Sequence, residues 1–189
     1  MQTTLEKIRA HSPCESDWNQ MLTFLGKTKA DDEPLLLSTV LQSNGLDDTL
    51  WCFCAVEGFE REKRLFAVWC VRQVQHLLTD PRSLAAPDVA EKFANGLASA
   101  EELGAAWSAA WDAAPDSAWD AAGDAARGAA AWGRPWDAAW AAAWSAARDA
   151  ARDARDAAMG AARASQIQEL KRVLACVEAG IDPYPPQKD

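Results

Sequence analysis

Trp136, Trp140 and Trp144 recur at every fourth position in WDAAWAAAWSAARDAARDARDAA, and Arg148 and Arg152 continue the same spacing. On an α-helix each step of four turns by about 40°. The indoles therefore form one strip, with the two arginines farther round. Indoles stack on planar ligands and arginines neutralise phosphates, so this set could line a pocket for a small anionic, nucleotide-like signal. A packing role competes with that reading. Ala139, Ala143, Ala147, Ala150 and Ala151 lie beside the indoles. Alanine faces let helices approach closely, and large rings fill the volume that remains. Packing is the preferred reading, because aromatic residues at helical spacing are usually core.

Asp112, Asp116, Asp120 and Asp124 repeat the spacing of four within a stretch, 101–126, that contains no Lys or Arg. Over an unbroken helix they drift by about 120°. This acidic strip could meet a basic protein surface, or it could be a solvated outer face, and the latter is the commoner use of such runs.

Metal and nucleophile chemistry find less support. Cys52 and Cys54 would stand about 200° apart on a helix, and His11 and His76 have no ligand partner at the usual spacing. Cys70 and His76 are poorly aligned as a nucleophile and base. Phosphate-binding loops, dinucleotide fingerprints and nucleophile elbows are all missing from the sequence. No catalytic residue, cofactor or metal is expected, and the chain is read as a non-enzyme.

The elements that must position these residues are read as helical throughout. Ser12, Pro13 and Glu15 predict a helix start, which Gly26 ends. Further helices are expected from Pro34 to Gly45, from Asp47 to Gly58, over about 60–79 and from Pro87 to Gly96. In the long helix, Leu65, Phe66, Val68, Trp69, Cys70 and Val71 surround the axis, so it should be central to the core. No alternating strand pattern with hairpin turns occurs. From Gly104 to Ala164, 29 of 61 residues are alanine, the best helix former, so this segment should be helical despite its few large apolar residues. Ser99 and Glu102 form a capping box that opens the region, and Pro115 and the GRP at 133–135 should divide it. One helix is expected from Pro135 to about Arg163. A second capping box, Ser165 with Gln168, should open a new helix whose stripe is Ile167, Leu170, Val173, Leu174 and Val177.

The balance of 19 Lys and Arg against 28 Asp and Glu gives a formal charge of −9. Such a chain is unsuited to duplex nucleic acid and favours basic partners. An odd, scattered set of five cysteines and a polar start suggest a reducing cytoplasm. No apolar stretch approaches the ~18 residues of a membrane span.

The segment RLFAVWCVRQVQHLLTDPRSLAAPDVAEKFANGLASAEEL, with the AAW and AAR elements that follow it, resembles a loosely defined family of alanine-rich helical proteins from bacteria and their phages. A related group is labelled as immunity proteins on genomic association. The resemblance covers about residues 60–164, implies an all-helical fold and a role in conflict between bacteria, toxins or phages, and transfers no catalytic residues.

The expected fold is thus all-α: a compact multi-helix array with an Ala/Trp-rich C-terminal bundle and no sheet. It comprises an N-terminal helical region (1–97), an Ala/Trp-rich region packed on it (98–180) and an irregular tail (181–189). The expected function is binding and neutralising a protein partner, a toxin or defence component. The alternatives are a sponge for a small anionic ligand and a structural or oligomerisation module.

Overall fold

The computed structural model describes residues 1–75, 80–112 and 155–185. These residues are mostly helical, with eight α-helices, a short 3-10 helix and one two-stranded sheet. The chain forms two compact units, 1–59 with 167–189, and 60–166. The composition shift near residue 97 lies inside the second.

The first unit starts with β1 (Gln2–Thr3) and α1 (Leu5–Ala10), a helix capped by the Thr4 hydroxyl, which accepts from the Lys7 amide at 3.2 Å. Leu5 and Ile8, one turn apart, are both buried. The next helix, α2 (Glu15–Leu25), begins after Cys14, whose side chain makes no cap bond. Ser12 does not cap it; at φ 57 it occupies the left-handed region between the two helices. The stop at Gly26 is as expected. At φ 66 it closes α2, with the Lys27 amide donating to the Leu22 carbonyl at 2.9 Å.

Two residues that the helical pattern would have claimed instead form β2 (Leu35–Leu36), antiparallel to β1 with Gln2 opposite Leu36 and Thr3 opposite Leu35. The fold therefore contains a sheet, contrary to expectation. Strands of two residues are too short to show alternation, and only the pairing of distant segments creates them. The Thr3 hydroxyl is buried and donates to the Ala55 carbonyl at 2.5 Å. Helix α3 (Leu37–Asn44) turns at Gly45 into α4 (Leu46–Trp51), and the 3-10 helix Cys52–Ala55 ends the run earlier than Gly58. Packing joins α2 to α3, α3 to α4 and α1 to the 3-10 helix.

In the second unit α5 (Glu60–Val74) packs on α6 (Pro81–Ala94), which packs on α7 (Ala100–Asp112). Leu65, Phe66, Val68, Cys70 and Val71 are buried, as expected of a central helix, whereas Trp69 is half-buried. Helix α6 starts at Pro81, capped by the Asp80 carboxylate, and runs through Pro87 instead of starting there. Pro87 is buried, so packing offsets the hydrogen bond its ring removes from the helix. The capping box that opens α7 is present in full. The Ser99 amide donates to Glu102 at 2.6 Å and the Glu102 amide to the Ser99 hydroxyl at 3.1 Å.

Helix α8 (Arg155–Glu178) crosses from the second unit into the first without a break at Ser165. Extending a formed helix past one serine costs less than starting a new one, so the second capping box is not used. The expected stripe is present at its centre, where Leu170, Val173 and Leu174 are at most 1% exposed, while Ile167 and Val177 at its ends are half-buried.

Candidate functional site

Most of the residues singled out in the sequence lie outside the described residues: Trp136, Trp140, Trp144, Arg148, Arg152, Asp116, Asp120 and Asp124. Asp112 is the last described residue of α7. His76 is likewise outside, whereas His11 is half-buried at the end of α1. Among the described residues, no group of three His, Cys, Asp or Glu is placed to hold a metal ion. Burial, followed by the influence of Cys54 and Asp48, pushes the Cys52 thiol far up, which removes it as a nucleophile.

The first unit gathers a different set of acids, where the start of α2, the end of α3 and the start of α4 converge. Gly45 makes the sharp turn from α3 to α4 at φ 85, which brings Asn44 back over the first turn of α4. The Asn44 amide nitrogen donates to the Asp48 Oδ2 and to the Asp17 carbonyl, each at 2.8 Å. Its own Oδ1 accepts from the Ser43 hydroxyl at 2.6 Å, and Gln20 Nε2 donates to the Ser43 carbonyl at 2.6 Å. Asn44 is thus a fixed hub between helices.

Burial raises the pKa of the Asp48 carboxyl above its ordinary value, and the carboxylates of Asp17 and Asp47 raise it further. The hydrogen bond from Asn44 acts in the other direction. This corner is a focus of negative potential in which a carboxylate stays charged against resistance. Trp51 lies three and four residues beyond Asp48 and Asp47 on α4, a spacing that puts it beside them, and it is 36% exposed. An acidic edge beside an indole suits a cationic side chain, which gains Coulomb attraction and a ring face together.

The sequence reading missed Asp17, Asp47, Asp48 and Trp51. The DDTLW spacing on one helix was a visible signal, but Asp17 joins only through the contact of α2 with α3.

A second polar cluster anchors the segment after α8. Arg172 donates a two-pronged contact to Glu169, at 2.8 and 2.7 Å, and reaches the Pro183 carbonyl at 3.0 Å. Its guanidinium carbon lies 5.2 Å from the centroid of the Tyr184 ring, and the Tyr184 hydroxyl donates to Glu169 at 3.0 Å. Each member satisfies another, so the cluster accounts for itself as a clasp on the irregular tail.

Among the described residues, no helix is long and apolar enough to cross a membrane. No protein-family model, no curated protein and no solved structure matches the chain.

Proposed function

We propose that the chain is a non-catalytic cytosolic protein that binds and neutralises a basic protein partner through acidic helical surfaces. The observation that carries the reading is the corner formed by Asp17, Asp47 and Asp48, where burial and, after it, the neighbouring carboxylates raise the pKa of Asp48 beside an exposed Trp51. A basic side chain placed there relieves the repulsion, so binding is favoured by a cost already present in the unbound protein. The resemblance of residues 60–164 to alanine-rich helical proteins of bacteria and phages supports a partner drawn from their conflicts, a toxin or a defence component. On this reading, the alanine- and tryptophan-rich segment forms a helical bundle packed by its indoles. The strip Asp112, Asp116, Asp120 and Asp124 then adds a second acidic surface.

The test is co-purification of the tagged full chain from a host expressing the genes that neighbour its own. A basic protein should be retained at low salt and released at high salt, since exposed charge pairs are screened. Asp47→Lys should weaken retention while leaving the fold intact, because Asp47 is exposed. Absence of a stable partner, or equal retention by the Asp47→Lys variant, would refute the reading.

A further inference from the structure

Arg64 differs from five other arginines among the described residues. Arg9, Arg61, Arg72, Arg82 and Arg172 each meet a carboxylate. Among the described residues Arg64 meets none. Its guanidinium carbon stands 4.9 Å from the centroid of the Phe93 ring, across the contact of α5 with α6. Its Nε is fully buried and has no hydrogen-bond partner. Nε is the side-chain nitrogen that is both buried and unpartnered, and the residue as a whole is half-buried, so part of it meets solvent.

This geometry has a chemical consequence. The ring holds one face of the guanidinium and the buried Nε holds its base, so the plane is set before anything binds. An unpaired Nη edge with a preset plane matches two oxygens of one oxyanion, and little side-chain entropy remains to be lost on contact. Arg61, one turn earlier on α5, reaches the same end of α6, with its Nε donating to Asn95 Oδ1 at 3.0 Å. Its charge adds to the local potential, although Glu62 lies 3.6 Å away and offsets part of it. Among the described residues Arg64 has no carboxylate where those five arginines have one, so its guanidinium suits an acceptor from outside.

We infer that the Arg64 edge, backed by Phe93, is a binding position for an oxyanion, the carboxylate or phosphate group of a small ligand. This site is independent of the acidic corner, and either can fail without the other.

The experiment is a titration of the ¹⁵N-labelled full chain with sodium phosphate and, separately, sodium acetate, with sodium chloride at matched ionic strength as the control. The Nε–H resonance of Arg64 should move and saturate with an oxyanion and not with chloride, while that of Arg82 should not saturate. Saturation by phosphate alone identifies a phosphoryl group, and saturation by acetate as well identifies a carboxylate. Arg64→Lys keeps the charge but loses the two-pronged edge, and should weaken binding by about tenfold, the equivalent of one charge-assisted hydrogen bond. Phe93→Leu should weaken it too by freeing the plane. An Arg64 resonance that does not saturate, that moves equally in chloride, or that reports unchanged affinity in a folded Arg64→Lys variant overturns the inference.

Discussion

Asp48 pays for its position in a way that pH can reveal. Its folded pKa is raised above the ordinary value of 3.8, so between the two values the folded state binds more protons than the unfolded state. Stability from this group is therefore lost as pH rises through that window, and the deficit remains at neutral pH. Asp48→Asn, which can still accept from Asn44, should raise the melting temperature at pH 7 and leave it unchanged well below pH 3.8. The size should not exceed about 1 kcal/mol, since the carboxyl is only partly buried. Asp31, Glu57, Asp80 and Glu101 have the opposite sign. Hydrogen bonds from Lys27, Lys7 and Arg82 lower the first three, and bonds within its own helix start lower Glu101. Their contribution is present above the unfolded carboxylate range and lost as pH falls through the lowered folded values. Acid unfolding of the wild type should follow these groups, and urea midpoints measured across pH 2 to about 7 should separate the two signs. A flat response of Asp48→Asn relative to wild type would remove the electrostatic account of the acidic corner.

At the scale of single elements, helix ends and glycines give clean tests because each depends on local geometry. Ser99→Ala removes the hydroxyl that accepts from the Glu102 amide, and should cost about 1 kcal/mol in urea unfolding. Gly26 and Gly104 should respond in opposite directions to alanine. A Cβ at either meets nothing within 4 Å, so crowding plays no part. Gly26 sits at φ 66, where an L-residue is strained, and Gly26→Ala should cost about 1 kcal/mol. Gly104 lies inside α7, where Gly104→Ala should gain about 0.5 to 1 kcal/mol. Equal effects at the two glycines would contradict the left-handed end of α2. Elements also show where a local signal loses. Ser165 and Gln168 have the spacing of a capping box, but α8 passes through because the serine never leaves helical geometry.

At the scale of the molecule, the first unit is built from two distant stretches, and its stability depends on the later one. Leu170, Val173 and Leu174 of α8 are at most 1% exposed, and Ser38 of α3 donates to Glu178 at 2.8 Å. Leu174→Ala should cost about 2 to 5 kcal/mol, the range for deleting a buried leucine side chain. Ending the chain after Gln166 should be worse, because it removes all three apolar residues at once. Hydrogen exchange over residues 1–59 should then approach unfolded rates. Native protection of that stretch in the truncated chain would show that the N-terminal part folds without α8.

The helical class, the stop at Gly26, the capping box at Ser99 and the buried stripe of Leu170, Val173 and Leu174 could all be read from the sequence. Each depends on residues within a few positions of one another, where hydrogen-bond reach and the helical period decide the outcome. The β1–β2 pair, the passage of α6 through Pro87, the clustering of Asp17 with Asn44 and Asp48, and the Phe93 ring under Arg64 could not. These depend on which distant segments meet. Packing supplies the free energy that local preference opposes, whether for a proline inside a helix or for a carboxylate among carboxylates. Only the tertiary structure decides where that happens.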